Sequence, residues 1–290
     1  MQMMIFGCGY SGKAIARLGL TRDATVAGTT RQNIAALAAD GIQGLVFDGS
    51  GASPELLLSL SETTHLVQSI PPGKDGDPLL RLASQGIRAL CPKLEWIGYL
   101  STVGVYGDYG GDWVDESDAC RPSPGRSEER VAAETAWRAE GEAAGVPVAI
   151  LRLAGIYGPG RNVLVNLHKG TARRIVKKDQ VFNRIRVEDI AEATLFLAEA
   201  SHGGIFNITD DEPAPPQDVI AEAARLMGVE PPPDVPFETA DMTPMARSFY
   251  GANKRISNRK IRAMGFQFRY PEYRMSLQQL WETGQWDNFD

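Results

Sequence analysis

The feature that most constrains this chain lies near its start. The apolar run Met3-Met4-Ile5-Phe6 passes directly into Gly7-Cys8-Gly9-Tyr10-Ser11-Gly12, and Lys13-Ala14-Ile15-Ala16 follows with small and aliphatic residues at helical spacing. Strand, Gly-x-Gly-x-x-Gly turn and helix, in that order, are what a dinucleotide-binding turn requires. Gly7 permits the tight turn, Gly9 lets a pyrophosphate approach the backbone, and Gly12 lets the helix pack close to the strand. The helix N-terminus then offers N–H groups and a positive dipole end to the phosphates. Ligand contacts are therefore expected from Gly7, Cys8, Gly9, Tyr10, Ser11 and Gly12. For the motif taken alone, a merely structural glycine turn is the competing reading.

Downstream, short apolar runs alternate with helical patterns. Strands are predicted at 24–28, 44–48, 65–70, 94–101 and 148–153, and helices at 31–40, 54–60, 79–90 and 127–144. That alternation implies an α/β fold, a doubly wound parallel sheet covered by helices on both faces. Residues 102–126 form a glycine-, aspartate- and proline-rich loop too long for a plain connector, which marks it as functional. After residue 153 the pattern changes. The chain reads as a turn at 155–161, a short helix at 163–169, a hairpin at 175–186, a helix at 187–200, a strand at 204–209 and a helix at 216–227. An irregular stretch opens at Pro231-Pro232-Pro233, and late helices are predicted at 257–264 and 274–282. The division is thus a dinucleotide-binding domain over 1–153, with 154–290 as a smaller lobe interleaved with it.

The net charge of -6 argues against nucleic acid as a partner. The odd set Cys8, Cys91 and Cys120 lacks metal-ligand spacing and reads as reduced thiols in a cytoplasmic protein, while scattered His65, His168 and His202 argue against a metal site. A glycine motif beginning at residue 7 leaves no room for a signal peptide ahead of it, and no apolar stretch approaches the ~20 residues of a membrane span.

Four further segments carry a resemblance. They are Leu100-Ser101-Thr102-Val103-Gly104-Val105-Tyr106-Gly107, Leu151-Arg152-Leu153-Ala154-Gly155-Ile156-Tyr157-Gly158-Pro159-Gly160, Arg184-Ile185-Arg186-Val187-Glu188-Asp189-Ile190-Ala191 and Phe206-Asn207-Ile208-Thr209-Asp210-Asp211-Glu212-Pro213. Together with the glycine turn, in this order and spacing, the chain resembles the extended short-chain dehydrogenase/reductase superfamily of the NAD-dependent epimerase/dehydratase type, in an atypical branch. The resemblance implies a Rossmann fold of about seven strands, a small C-terminal substrate lobe, a nicotinamide cofactor and a small-molecule substrate. It also implies a homodimer paired through the helices predicted at 127–144 and 79–90.

The second strand ends Gly28-Thr29-Thr30-Arg31, without the carboxylate that favours NAD. Arg31 with its two neighbouring hydroxyls, Thr29 and Thr30, suits the extra phosphate of NADP, which is therefore expected over NAD; a helix-start role is the alternative for Arg31. Asp48 and Gly49 match the adenine position, with a turn role as a close competitor for Asp48. Gln68, Ser69 and Ile70 fall where the fourth strand approaches the cofactor riboses.

The superfamily's chemistry uses a serine or threonine, a tyrosine acid/base and a lysine four residues after the tyrosine. Thr102 matches the hydroxyl position, with Ser101 beside it. One alignment puts Arg126 at the tyrosine position and Arg130 at the lysine position; a two-residue shift gives Pro124 and Glu128. Neither yields Tyr-x-x-x-Lys. A charged arginine cannot shuttle a proton near neutral pH, but Arg130 can hold a ribose and Arg126 an anionic substrate group. Tyr106 and Tyr157 are candidate substitutes for the missing phenol, against packing roles in glycine turns. Val103-Gly104 after Thr102 argues against sugar-nucleotide dehydratase chemistry, and Gly155 in place of asparagine weakens the nucleotide-sugar reading. Lys74, Arg152, Arg161, Arg184 and Arg186 are candidates for an anion site. The sequence thus points to an NAD(P)-binding oxidoreductase or epimerase/dehydratase-like enzyme with its dyad replaced. The alternative is a non-catalytic NADP(H)-binding redox sensor or scaffold.

Overall fold

The computed structural model describes residues 1–288 of the 290. Seven strands build the central sheet: β1 (Gln2–Phe6), β2 (Thr25–Thr30), β3 (Gln43–Val46), β4 (His65–Gln68), β5 (Trp96–Thr102), β6 (Val148–Leu153) and β7 (Gly204–Ile208). Their spatial order is 7-6-5-4-1-2-3, and the neighbouring pairs from β3 to β6 are parallel. This is the Rossmann arrangement the alternation predicted. The order reverses between β1 and β4, and in such sheets ligands bind beyond the carboxyl ends of the strands at that reversal. Phe6 is in register with Gln68, and Gln68 with Tyr99. The glycine turn, the end of β4 and the end of β5 therefore leave the sheet on one edge.

The chain divides into two compact units. The first is Met1–Val105, Pro122–Leu153 and Ile190–Phe206; the second is Tyr106–Arg121, Ala154–Asp189 and the chain from Asn207 onward. In the first unit, both faces of the sheet are covered. Met4, Phe6, Leu66, Ile97, Tyr99 and Ile150 from the strands pack with Leu56, Leu60, Leu79 and Trp137 from helices. In the second unit, short parallel strand pairs join Gly155–Tyr157 to Arg184–Arg186, Arg174–Val176 to Asp234–Pro236, and Trp113–Val114 to Arg255–Ile256. Its helices Val163–His168, Pro216–Met227 and Tyr273–Glu282 share a core containing Leu164, Ala223, Tyr273 and Leu277.

Four local expectations are corrected. The helix expected at 31–40 is only Ala35–Ala38, because the Asn33 side chain accepts from Ala36 N at 3.1 Å and starts the helix there. The helix expected at 79–90 is two pieces, Pro78–Leu82 and Ile87–Leu90. Gly86, at φ +90°, breaks it, and Glu140 caps the second piece through Ile87 N. No hairpin forms at 175–186: its two arms pair with different strands elsewhere in the chain, which alternation within one segment cannot reveal. The irregular stretch after Pro233 carries the strands Asp234–Pro236 and Arg255–Ile256 and the helix Pro244–Phe249.

Candidate functional site

Gly7 adopts φ +76°, and a Cβ there would lie 2.9 Å from Ile70 Cγ1 and 3.1 Å from Ile70 N. A Cβ on Gly12 would lie 3.1 Å from Gly7 O and 3.2 Å from Ile5 Cγ2, whereas the same position on Gly9 meets nothing nearer than 3.9 Å. Gly7 and Gly12 thus serve the close approach of strand, turn and helix, and Gly9 leaves the space a phosphate needs. Gly7 N donates to Thr29 Oγ1 at 2.9 Å, Cys8 N to Thr29 O at 2.8 Å, and Gly9 N to Gly7 O at 2.7 Å. The N–H groups of Ser11 and Gly12, in the first turn of the helix Tyr10–Thr21, remain outside the backbone ladder. On this geometry the residues present fit a dinucleotide.

Two residues that hold the turn went unrecognised in the motif. Thr29, 1% exposed, braces Gly7 and Cys8. Gly28 leaves room for the Cys8 side chain, since a Cβ on Gly28 would come 2.8 Å from Cys8 Cβ. The signal was available in principle, because parallel pairing of the first two strands sets Ile5 opposite Gly28. Cys8 is corrected to a backbone role: its thiol is buried, and burial pushes its pKa up to about 12.

At the end of β2, Thr30 is half-buried and Arg31 is exposed with no partner among the described residues. Asp48 is exposed, and its Oδ1 accepts from Ser50 Oγ at 2.6 Å and Ser50 N at 2.9 Å. The Ser50 hydroxyl holds the carboxyl below its usual range. The turn reading thus accounts for Asp48, and Gly49 at φ +93° completes the bend. Gln68 is also corrected. It is fully buried, donates to Asp77 at 2.8 Å and accepts from Ile70 N at 3.0 Å. Asp77 additionally caps Leu79 N and accepts from Trp137 Nε1. Gln68 therefore fixes the loop after β4, with both ends of its amide bonded within the protein. Ser69 N bonds Phe6 O, and Ile70 is the half-buried wall beside Gly7.

Beyond β5, Ser101 and Thr102 part company. Ser101 is 3% exposed and donates to Glu134 Oε1 at 2.6 Å. Glu134 also takes Arg152 in a forked pair, Nη2 at 2.7 Å, with both side chains 5% exposed. Ser101 is thereby corrected to a structural role. Thr102 is half-buried, and its Oγ1 accepts from Gly104 N at 3.1 Å. A Cβ on Gly104 would lie 3.3 Å from Thr102 Oγ1 and 3.7 Å from Ser127 Oγ, so Ser127 brings a second hydroxyl to this spot. The sequence reading overlooked it.

Arg126 opens the helix Arg126–Ala144 and is exposed; Arg130, one turn on, is half-buried and donates to Leu100 O at 2.7 Å. Tyr106 is the remaining catalytic candidate, and it is corrected: it is fully buried and its hydroxyl donates to Asn207 Oδ1 at 2.8 Å. Of the four arginines and one lysine that were candidates for an anion site, two are held by partners within the protein. Arg152 is engaged by Glu134, and Arg186 by Glu188, Ser276 and Gln279. Among the described residues no group of three or more His, Cys, Asp or Glu could hold a metal ion, and no helix is long and apolar enough to cross a membrane.

The model of the NAD dependent epimerase/dehydratase family matches residues 87–209. Protein YeeZ of Escherichia coli K12 is 29% identical over 93% of this chain and 97% of its own. A structure of a functionally unknown conserved protein from Silicibacter pomeroyi is 41% identical, covers 98% of this chain and 99% of its own, and superposes with a TM-score of 0.87. The human epimerase family protein SDR39U1, solved with NADPH, shares the fold at 18% identity and TM-score 0.77, over 97% of this chain and 99% of its own. Residues 87–209 thus match the NAD dependent epimerase/dehydratase family, and the whole chain shares the fold of the epimerase-family structure.

Proposed function

We propose that this protein is a cytoplasmic, NADP(H)-dependent oxidoreductase or epimerase-type enzyme acting on a small-molecule substrate. The observation that carries the reading is the braced glycine turn at the switch point of a parallel sheet, with Ser11 and Gly12 N–H groups outside the backbone ladder. The NADPH bound by SDR39U1 is in keeping with it. Thr30 and exposed Arg31 would receive the ribose phosphate that distinguishes NADP from NAD. When bound, the cofactor supplies or accepts a hydride. Around it, the Thr102 hydroxyl would orient a substrate oxygen, Ser127 would extend that hydrogen-bonding to a second hydroxyl, and exposed Arg126 would hold an anionic substrate group. Arg130, tied to the β5 backbone, adds a fixed positive charge at the same helix end. The helix Arg126–Ala144 would also serve as the pairing face of a homodimer, which light scattering would test.

A second reading has its own observation. On one of the two alignments the position expected for the tyrosine is taken by exposed Arg126, and Tyr106 is buried and bonded. A non-catalytic NADP(H)-binding sensor or scaffold would have this arrangement. One experiment separates the two: fluorescence titration with NADPH and NADH, followed by cofactor turnover with a panel of small carbonyl and sugar derivatives. Binding with turnover that falls at least tenfold in Thr102→Val supports the enzyme. Binding with no turnover under any condition supports the sensor, and absence of binding overturns both.

A further inference from the structure

The second unit contains two arginines two residues apart on one short strand, treated very differently by their surroundings. Arg186 is saturated: it has a forked pair with Glu188, bonds to Ser276 and Gln279, and a place over the Tyr270 ring at 4.3 Å. Arg184 uses one nitrogen, Nη1, which donates to Phe182 O at 2.9 Å and Ala214 O at 3.1 Å. Its Nε and Nη2 have no acceptor among the described residues.

Around that guanidinium lie three buried polar atoms that also have no hydrogen-bond partner: Tyr157 Oη, Tyr273 Oη and Asp210 Oδ2. Local pairing gathers these residues. Gly155–Tyr157 pairs in parallel with Arg184–Arg186, so Tyr157 shares a face with both arginines. Arg184 O accepts from Asp210 N at 2.8 Å, which holds the aspartate beside it, and the Arg184 guanidinium lies 5.9 Å from the Tyr273 ring centre. Ser276 Oγ accepts from Arg186 Nη1 and lies beside the Tyr157 hydroxyl. Buried polar groups in native proteins are almost always hydrogen-bonded, so three orphans around one half-satisfied arginine call for a missing partner.

We propose that Arg184, Tyr157, Tyr273 and Asp210 form a seat for a carboxylate or phosphate group of the small-molecule substrate, deepening the functional reading above and resting on it. The Nε–Nη2 edge of a guanidinium is the fork that takes two oxygens of a planar or tetrahedral oxyanion. The two phenols donate to the same oxygens. Burial pushes the Asp210 carboxyl well above its ordinary range, against the opposing pull of Arg184, which eases its protonation beside an oxyanion.

The test is made on the full chain without cofactor, by calorimetric titration with inorganic phosphate and, separately, malonate. The expected result is saturable binding of at least one probe, with the stronger one identifying the oxyanion type. Tyr157→Phe and Tyr273→Phe should each weaken it about tenfold, the worth of one charge-assisted hydrogen bond. Arg184→Gln should abolish it, and Arg184→Lys should retain part. If Arg184→Gln fails to fold, the two phenylalanine variants and Arg184→Lys decide. Saturable binding of neither probe, affinities within twofold of wild type in both phenylalanine variants, or a crystal structure grown with the probe showing only ordered water at the three atoms would overturn the proposal. Because nicotinamide cofactor is absent, that failure leaves the NADP(H) reading intact, and absence of turnover in the cofactor assay leaves the seat intact.

Discussion

Thr29 does work at the glycine turn that the glycine pattern does not announce. Its hydroxyl is the acceptor for Gly7 N, and its carbonyl the acceptor for Cys8 N. Thr29→Val keeps the shape and removes that acceptor from a buried N–H, so it should cost about 1–3 kcal/mol in urea denaturation. The same substitution should also weaken NADPH binding. Two residues along, Arg31 is the exposed cation on which the cofactor preference rests. Arg31→Glu should lower NADPH affinity by about ten- to a hundredfold and leave NADH within a few-fold, read by fluorescence titration. The contrast shows what a residue pattern encodes. Gly7, Gly9 and Gly12 were legible because their spacing is written within six residues of chain, even though the atoms that crowd Gly7 belong to distant Ile70. Thr29 and Gly28 were not, since their partners come from another strand. Gln68 and Ser101 were misread for a related reason. A polar residue at the end of a parallel strand can face the ligand or anchor a neighbouring loop, and the side chain that settles it (Asp77 for one, Glu134 for the other) is distant in sequence.

Among the elements, the helix Arg126–Ala144 carries the most consequence. Its first turn presents Arg126, Ser127 and Arg130, and its second buries Glu134 between Ser101 and Arg152. Glu134→Ala should cost about 3–5 kcal/mol, because it leaves the Arg152 charge buried and unpaired. The double variant Glu134→Leu with Arg152→Met should recover most of the loss, and a double-mutant cycle in denaturant measures both. This helix and the sheet strands were legible because their apolar spacing is long and their ends carry caps, Gly145 closing the helix at φ +64°. The pieces Pro78–Leu82 and Ile87–Leu90 were not. Their combined pattern suits one helix, and only the Glu140 cap and the left-handed Gly86 show the break.

For the whole molecule, the parallel, helix-covered sheet follows from the alternation of strands and helices, while the second unit was nearly opaque. Its strands have two or three residues, and each pairs with a segment far along the chain. One consequence of that unit is a pH response. Lys254 is 7% exposed and donates to Gly107 O, and burial lowers its pKa from 10.5 to about 8 despite the opposing pull of Asp108. Between those values the unfolded chain holds the proton and the folded chain does not. Lys254 therefore makes stability rise with pH from about 8 toward 10.5, by at most about 1.4 kcal/mol per pH unit. Below pH 8 its burial is destabilising. Denaturation across this window should show the rise in wild type and a flatter profile in Lys254→Met; equal slopes would contradict it.

The brace around the glycine turn has a further consequence, expressed in time rather than energy. Gly7, Cys8 and Gly9 have their amide protons bonded within the protein, whereas Ser11 and Gly12 do not. In the ligand-free protein the first three amides should exchange with solvent deuterium slowly and the latter two quickly. A dinucleotide would slow Ser11 and Gly12 while scarcely changing the other three. A bound dinucleotide would thus meet a turn already set, its arrival recorded at two amides rather than by the ordering of a loop.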